Sequence, residues 1–402
     1  MILPSQFFAI GYYLLLLLIG SGFVTYIVFS IKFYFGFKRY KPVINYKKKT
    51  VSIIVAARNE AENLKKLMLC LVNQNYPKSL YEIIIADDGS EDETQAIVQS
   101  YSNHESAVTY LSISGRDDVI SPKKNAIEKA ISIAQGEIIL TTDADCQVPL
   151  TWIESMISLF TDEVAMVAGY SRTYLESWKE ASMLHKYEHF DFACTYMVLG
   201  GGYTIGRSWA CIGQNLAYRR DAFYKVGGFE QIRHLISGDD VNLMQLMRKQ
   251  GMKIIFNFDP KSFTYTRPVM SWKHLVNQRS RWASNMKYQL KYDPEFFFIL
   301  LSMAFMFWGT MLLFFFNWKL ALILFLTRIA IEHEVIYNAR RFFGVTGKMV
   351  MFYPVWFVIQ TFFLVFTMLL GQFNLFVWHG KRPYKKIVSK AQTTPKAVST
   401  KE

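Results

Sequence analysis

Two aspartates one residue apart, Asp143 and Asp145, follow the apolar run Ile138–Leu140 and two threonines. Carboxylate oxygens at a strand end are suitable ligands for a divalent cation. A cation held there could neutralise the diphosphate that leaves from a nucleotide. Asp is also common in polar turns after buried strands, and the pair alone favours a turn. The other motifs must therefore decide between the two interpretations.

A second acidic pair, Asp87-Asp88, follows another apolar run and precedes Gly89-Ser90. An acidic side chain at the end of such a strand can accept a hydrogen bond from a ribose hydroxyl or a nucleobase. The alternative is a turn followed by a helix N-cap, in which Gly and Ser have their usual roles. Both interpretations can hold for different residues of the motif.

A basic pair, Lys123 and Lys124, follows Pro122 at the start of a predicted helix. Lysine beside a ligand crevice could contact phosphate, assisted by the helix N-terminus. A solvated basic helix start is equally common.

A third acidic pair, Asp239-Asp240, follows Gly238 and precedes an amphipathic helix. One carboxylate could act as a general base that removes a proton from an attacking hydroxyl. On this stretch alone, the favoured interpretation is an acidic helix N-terminus stabilised by the helix dipole.

The last polar motif contains Gln278, Arg281 and Trp282 within the amphipathic stretch Ser271–Leu290. Arg281 could bind a diphosphate, and Trp282 offers a flat face to a sugar. The alternative is a helix on the membrane surface, where Arg and Trp are common.

Strand and helix patterns alternate along the first half of the region 49–292, which predicts a largely parallel sheet in an α/β domain. Ligands of such sheets bind at the carboxyl ends of the strands. The motif Arg58-Asn59-Glu60 and the first two acidic pairs each follow a predicted strand, so they should face one crevice. The predicted strands are Val51–Ala57, Glu82–Ala86, Val108–Ile113 and Glu137–Thr142, and the predicted helices are Ala61–Asn73, Glu91–Ser100 and Pro122–Ala134.

Apolar segments flank this domain. Phe7–Ile31 contains no charged residue, and it is longer than the about 20 residues that a helix needs to span a bilayer. It lacks a preceding basic region and a clean cleavage site, which favours a membrane helix over a signal peptide. Phe296–Phe316, Leu320–Ile331 and Met349–Trp378 follow the domain. We expect a membrane helix in 1–35, the α/β domain in 49–292, membrane helices in 293–380 and a basic tail in 381–402.

A small ionisable cluster interrupts the second of these later segments: Arg328, Glu332, His333 and Glu334. Ionisable residues near a membrane are often functional. A helix end at the interface is the alternative, and it is the favoured one.

The net charge of the 402-residue chain is +13. Seven Lys or Arg lie between Lys32 and Lys49, and seven more follow His379. Basic residues beside membrane segments stay in the cytoplasm and attract anionic lipids, which favours a membrane partner over nucleic acid. The domain is therefore predicted to be cytoplasmic, at the cell (inner) membrane. A cytoplasmic tail would require that one of the three later segments be interfacial or re-entrant; otherwise the tail lies outside.

The four cysteines are not placed at metal-ligand spacing, and nothing suggests a disulfide framework. This is consistent with a reducing cytoplasm.

Together, five motifs in order resemble the membrane-anchored family 2 glycosyltransferases, which include cellulose, chitin and hyaluronan synthases and several lipid glycosyltransferases. The resemblance covers roughly Val51–Leu290. It implies the single Rossmann-like domain called GT-A, a UDP-sugar donor and one displacement with inversion at the anomeric carbon. The motifs are Ala57-Arg58-Asn59-Glu60, Asp87-Asp88-Gly89-Ser90, Asp143-Ala144-Asp145, Asp239-Asp240 and Gln278 to Trp282.

The resemblance also implies roles for these residues. Asp145 would bind Mg²⁺ or Mn²⁺, with Asp143 supporting it or contacting the ribose. Asp240 would be the general base, because Asp239 then takes the position of the family's Glu. The donor would be held by Arg58, Glu60, Asp87 and nearby Asp88, with Lys123 at its phosphates, and Gln278, Arg281 and Trp282 would close over the diphosphate and acceptor.

On the acceptor side, Gly213-Gln214-Asn215 resembles the family's acceptor loop, although Gln214 replaces a residue that is often small. Trp378–Tyr384 resembles the ending of lipid-directed members; an aromatic and basic interface anchor is the alternative.

Three functions are compatible with the sequence. Transfer of a hexose or N-acetylhexosamine to a membrane lipid is favoured. A small processive synthase of a β-glycan is the first alternative, supported by the spacing of Gln278, Arg281 and Trp282. A catalytically inactive sugar-binding scaffold would predict broken motifs, whereas every acidic position is intact.

Overall fold

The computed structural model describes residues 4–113, 121–235, 237–284 and 290–377. The central element is a seven-stranded sheet in the order β3-β2-β1-β4-β8-β6-β9. Strands β1 to β4 are mutually parallel, and only β8 runs antiparallel to its neighbours. The predicted mostly parallel α/β sheet is confirmed. Its strands are β1 (Val51–Ala57), β2 (Tyr81–Asp87), β3 (Val108–Ser112), β4 (Ile138–Thr141), β6 (Val164–Ala168), β8 (Leu216–Arg219) and β9 (Lys253–Phe256).

Both faces of this sheet are covered, which explains the continuous apolar runs of its central strands. In β1, Ile53 belongs to one buried cluster and Ile54 to the cluster on the opposite face. The helices in contact with these faces are α2 (Ala61–Val72), α3 (Thr94–Ser102), α4 (Pro122–Ile133), α5 (Trp152–Ile157), α6 (Met183–Thr204), α7 (Arg220–Lys225) and α8 (Val241–Lys249).

A second sheet of three short strands lies beside the end of β4. It consists of β5 (Cys146–Gln147), β10 (Thr264–Thr266) and β7 (Ser171–Thr173), with β10 in the middle. Helix α9 (Trp272–Ala283) follows β10 and carries the last polar motif. The small sheet and α9 therefore flank the crevice.

Three helices of the described residues are long and apolar enough to cross a membrane. They lie within α1 (Pro4–Arg39), in α10 (Pro294–Leu313) and in α13 (Tyr353–Gln372). These helices match three of the four apolar segments predicted from sequence. Helix α11 (Trp318–Ala339) contains the ionisable cluster and is not one of them, and the short α12 (Gly347–Val350) precedes α13.

The prediction that a helix ends at the ionisable cluster is wrong. Arg328 lies in the middle of α11 and pairs with Glu332 one turn later, at 3.5 Å. The rings of Phe307 and Phe357 cover its guanidinium at 4.5 and 4.8 Å. The i,i+4 pair and the ring contacts stabilise the charge without interrupting the helix.

The segment Trp378–Tyr384 and the basic tail 381–402 lie outside the described residues, as does the part of the amphipathic stretch between 285 and 289.

Candidate active site

The turns after β1 and β2 are connected by hydrogen bonds. Asn59 adopts a left-handed backbone conformation, with φ 54°. Its backbone N–H donates to the Ser90 hydroxyl at 2.9 Å, and its side-chain oxygen accepts from the Glu91 N–H at 2.8 Å. These bonds hold the motifs at residues 58–60 and 87–90 side by side at the carboxyl edge of the sheet.

Asp87 and Asp88 have different environments. One oxygen of Asp87 accepts from the N–H and hydroxyl of Ser90, at 2.9 and 2.5 Å, and the other accepts from the Tyr110 hydroxyl at 2.8 Å. Asp88 instead faces Arg58, whose Nη1 lies 3.4 Å from its Oδ2. Asp87 thus stabilises the turn, while Asp88 and Arg58 form a polar pair at the edge.

Lys123 joins two of the acidic motifs. Its Nζ lies 2.7 Å from Asp143 Oδ1 and 3.2 Å from Asp239 Oδ2. Although burial opposes this, the two carboxylates raise the pKa of Lys123, which keeps it charged. Lys123 comes from the first turn of α4, and the two aspartates come from the end of β4 and the start of α8. Residues more than a hundred positions apart therefore meet at one point.

The carboxylate of Asp240 is held by backbone groups. Its Oδ2 accepts from the Gly213 N–H at 2.8 Å and its Oδ1 from the Val241 N–H at 2.6 Å. Burial and the neighbouring charge of Asp239 raise the pKa of Asp240. Despite burial, Lys123 and Lys124 hold the pKa of Asp239 below its usual value. The two adjacent carboxyls thus differ, and Asp240 has the greater affinity for a proton.

Asp145 lies among other carboxylates. Burial, followed by the charges of Asp143 and Glu60, raises the pKa of Asp145 to about 6. Burial also raises the pKa of Glu60. Such crowding is relieved by a cation.

Mg²⁺ and Mn²⁺ prefer oxygen ligands, which the carboxylates of this site provide. No group of three His, Cys, Asp or Glu side chains within the described residues is arranged to hold a metal. Mg²⁺ is, however, commonly bound through one or two carboxylates together with substrate phosphates and water. Because Lys123 occupies one oxygen of Asp143, Asp145 is the better primary ligand. The residues are compatible with a cation that binds together with a diphosphate.

Helix α9 places a cation next to these carboxylates. Burial lowers the pKa of Arg281, while the nearby charges of Asp239 and Asp143 oppose that shift. Trp282 is partly buried and packs against Phe192, with ring centres 5.8 Å apart. Gln278 is half-buried in the same helix, where its side-chain oxygen accepts from Arg279 at 3.3 Å.

The three residues of the loop 213–215 have different environments. Gly213 donates its N–H to Asp240 and lies beside the acidic cluster. Gln214 donates to Thr266 at 3.3 Å, and its buried side-chain oxygen has no partner within the described residues. Asn215 is fully buried and bonds to Trp152, Tyr170 and Ser262 at 2.7 to 2.9 Å. Asn215 therefore supports the loop from within the core and does not face an acceptor.

Three features of the site were not anticipated from the sequence. Lys124 points away from the crevice and donates to the carbonyls of Leu235 and Ser237 at 2.6 and 3.1 Å, which supports the segment before Asp239. Arg267 follows β10 and contributes positive charge near Glu60. Asp191, on α6, forms an ion pair with Arg279 of α9 at 3.0 Å. The basic pair at the start of α4 marks Lys124 but not the direction of its side chain, and no local pattern marks Arg267 or Asp191, because their partners are distant in sequence.

Comparisons with known proteins agree with this geometry. Residues 52–227 match the family described as "Glycosyl transferase family 2". A probable glycosyltransferase, YdaM, from Bacillus subtilis is 27% identical over 66% of this chain and 63% of its own length. A β-monoglucosyldiacylglycerol synthase from Trichormus variabilis is 28% identical over 58% of this chain and 48% of its own length. The chain thus spans less than two thirds of these curated relatives.

A solved structure has the same fold. It is a mannosyltransferase from Pyrobaculum calidifontis in complex with GDP-Man and Mn²⁺, with a TM-score of 0.58 and 17% identity. The match covers 88% of this chain and 98% of that one. The family match, the sheet order and this structural likeness lead to one conclusion: residues 52–227 match a glycosyltransferase family 2 domain, and the fold is GT-A.

Proposed function

We propose that this protein is an inverting, membrane-bound glycosyltransferase that moves a hexose or N-acetylhexosamine from a UDP-sugar to a membrane lipid. The observation that carries the proposal is the meeting of Lys123 and Arg281 with Asp143, Asp239 and Asp240 at the carboxyl edge of the sheet. The two cations are suited to neutralising a diphosphate leaving group, and the carboxylate of Asp240, fixed by backbone hydrogen bonds, is suited to act as a general base.

The donor would lie along this edge. Arg58, Asp88 and Glu60 would contact the nucleoside, with Asp87 fixing the turn beneath it. Lys123 and Arg281 would neutralise the diphosphate as it leaves, and Gln278 would support α9 over it. When bound, Mg²⁺ or Mn²⁺ would add further charge neutralisation at Asp145 and Asp143. In this arrangement Lys123 and Arg281 would supply positive charge where negative charge develops, which is the main requirement of such a reaction.

Asp240 would remove the proton of the attacking hydroxyl. The new bond joins the acceptor oxygen to the anomeric carbon, while the bond from that carbon to the phosphate oxygen breaks. The proton goes to Asp240 and the electron pair leaves with UDP. The raised pKa of Asp240 and its two backbone hydrogen bonds support this role, because they place a basic oxygen in a fixed position.

A lipid acceptor is favoured by how the domain meets the membrane helices. Helix α13, a candidate membrane span, packs directly against α9, where Gly371 lies next to Ser280. Trp282 would contact the acceptor on this side, with the loop that carries Gln214 beside it. The relative named β-monoglucosyldiacylglycerol synthase is consistent with the same choice. The catalytic domain would lie on the cytoplasmic side of the cell membrane.

A processive β-glycan synthase is the second candidate. Trp282 stands next to Arg281, as in processive members, and Arg279 stacks on its indole at 4.4 Å. A hyaluronan synthase from Streptococcus pyogenes is 28% identical over 37% of this chain.

Membranes containing the protein would distinguish these functions when incubated with labelled UDP-glucose, UDP-GlcNAc, UDP-galactose or GDP-mannose. Label in the organic phase supports a lipid acceptor, whereas label in aqueous material of high mass supports the synthase. Absence of transfer from every donor would support the inactive scaffold.

The variant Asp240→Asn tests the proposed base. We expect transfer to fall at least about 100-fold, in line with the contribution of general-base catalysis, while UDP binding measured by calorimetry stays nearly unchanged. Asp162→Asn, an exposed aspartate before β6, is the matched control and should behave as wild type. Full transfer by Asp240→Asn would place the base elsewhere.

A further inference from the structure

A cavity of about 410 Å³ lies outside the crevice described above. Its floor is a row of side chains across the small sheet, where Gln147 on β5 and Arg172 on β7 flank Tyr265 on β10. Its walls include Trp178, together with His189 of α6 and Met349 of α12.

The cavity is close to the candidate active site through this sheet. Gln147 follows Asp145 by two residues on the same short segment. Thr266, the neighbour of Tyr265, accepts a hydrogen bond from Gln214 of the acceptor-side loop. A molecule bound in the cavity would therefore lie next to β5, which begins directly after Asp145, and next to β10, which contacts the acceptor-side loop.

The lining has the chemistry of a sugar site. Tyr174, Trp178 and Tyr265 provide aromatic surface, and the Arg172 guanidinium lies over the Tyr265 ring at 4.5 Å. Gln147 and Glu176 add amide and carboxylate groups. The cavity contains one cation, Arg172, and one carboxylate, Glu176. Its mixture of hydrogen-bond donors and acceptors suits hydroxyl groups. A phosphate would be less suitable, because its negative charge would be repelled by Glu176.

His189 adds a hydrogen-bond acceptor. Its Nδ1 lies 3.0 Å from the Thr173 carbonyl, which can only accept, so this nitrogen carries the proton. In the neutral ring Nε2 is then free to accept from a hydroxyl. Burial lowers the pKa of His189, which favours this neutral form.

An apolar surface leads away from the cavity. The Trp178 ring is 5.6 Å from that of Phe352, the residue immediately before α13. On α13 itself, Val355, Val358 and Phe362 are exposed. A molecule with a polyhydroxylated head and an apolar tail could place the head in the cavity and the tail along this candidate membrane span.

We propose that this cavity binds the hexosyl headgroup of a glycolipid acceptor. This inference rests on the proposed lipid-directed transfer and makes it more specific, because the acceptor would already carry a sugar. The reaction would then extend a glycolipid, and another glycosyl transfer to a lipid must supply its substrate.

Binding can be measured without turnover by using the Asp240→Asn protein in nanodiscs. We would titrate hexyl β-glucoside, hexyl phosphocholine and free glucose, and follow displacement of a fluorescent alkyl glucoside. Hexyl β-glucoside should bind at least tenfold more tightly than the other two. If hexyl phosphocholine binds as tightly as hexyl β-glucoside, the cavity has no preference for a sugar and the proposal fails. If free glucose binds as tightly, the cavity does not require a lipid-linked sugar, and the glycolipid assignment fails.

Two variants locate the binding site. Tyr174→Ala and Gln147→Ala should each weaken hexyl β-glucoside at least tenfold, with the dissociation constant for UDP unchanged. Tyr46→Ala, which removes an exposed tyrosine outside the cavity, is the control. Unaltered glucoside binding in both cavity variants would overturn the assignment. Selective glucoside binding by a protein that transfers no sugar would instead contradict the proposed function while leaving the cavity assignment intact.

Discussion

At the scale of single residues, the site depends on how closely spaced charges influence each other. Asp239 and Asp240 are adjacent, yet Lys123 neutralises the first and backbone N–H groups hold the second. Two neighbouring carboxyls whose environments differ can have different roles, one fixed as an anion and the other able to take up a proton. This difference in proton affinity between the two carboxyls favours Asp240 as the proposed base.

The variant Asp239→Asn should move the acid limb of the kcat/KM profile to lower pH. The charge of Asp239 raises the pKa of Asp240, so its removal makes Asp240 easier to ionise, and the base stays active in more acidic solution. We expect a measurable shift of the limb toward lower pH. Asp162→Asn should leave the limb in place. A lower rate with an unmoved limb would show that Asp240 is not the group that titrates.

The variant Asp145→Ala should abolish any dependence of UDP binding on Mn²⁺. The reason is that Asp145 would be the main ligand of the cation, since Lys123 occupies one oxygen of Asp143. Calorimetric titration of UDP with Mn²⁺ and with EDTA provides the measurement. Wild type that binds UDP and transfers sugar equally well in EDTA would contradict a metal role at this position.

At the scale of elements, helix α9 is held in position by buried charge. Asp191 accepts from Arg279 at 3.0 Å and from the indole N–H of Trp356 at 3.3 Å. Arg279 also stacks on Trp282 at 4.4 Å. One buried carboxylate thus connects α6 and α13 to the helix that carries Arg281 and Trp282.

The variant Asp191→Leu should destabilise the protein by about 3–5 kcal/mol, because Arg279 would be left buried without its counterion. Thermal unfolding in detergent would measure the effect. The double variant Asp191→Leu with Arg279→Met should recover part of the loss. Lys253→Met, which breaks an exposed pair with Glu163, is the control and should change stability by less than about 1 kcal/mol. Equal effects at the two sites would contradict the role of Asp191.

How well each helix or strand could be predicted from the sequence depends on how it is buried. β1 was predicted with its observed bounds, because a parallel strand buried on both faces is a continuous apolar run. The bounds of α2 and α4 differ from the prediction by one residue. Helix α6 was not anticipated, since it is buried on most sides and lacks an amphipathic period. The small sheet was not predicted, because strands of two or three residues are too short to show an alternation of polar and apolar residues.

At the scale of the whole molecule, the membrane helices and the domain share packed surfaces. Gly36 of α1 lies against Thr204, and Phe33 packs against Gly201, both on α6. Helix α10 leaves the domain beside Arg207, which pairs with Glu295 at 3.1 Å. Helix α11 then leads back toward the domain. Phe343, four residues after the end of α11, packs in the domain core. The positions of the α9 motif and of the cavity therefore depend on the assembled helices.

Two glycines of α1 test this assembly. A Cβ added to Gly22 would overlap the carbonyl oxygen of Ser302 and lie 2.5 Å from Cβ of Met306, both on α10. A Cβ added to Gly20 meets no described atom within 4 Å. Both variants, Gly22→Val and Gly20→Val, place the same β-branched residue in the same helix, so only the contact with α10 differs.

We expect Gly22→Val to force α1 and α10 apart at a cost of about 1–3 kcal/mol, the usual range for overpacking. This should lower the Tm in nanodiscs by about 2–10 °C and reduce transfer to lipid, while Gly20→Val stays near wild type. Because α1 also packs against α6, the loss should extend to the domain and appear in near-ultraviolet circular dichroism of its buried aromatic residues. Equal Tm values for the two variants would show that the α1–α10 contact does not contribute to stability, and that the domain is held without it.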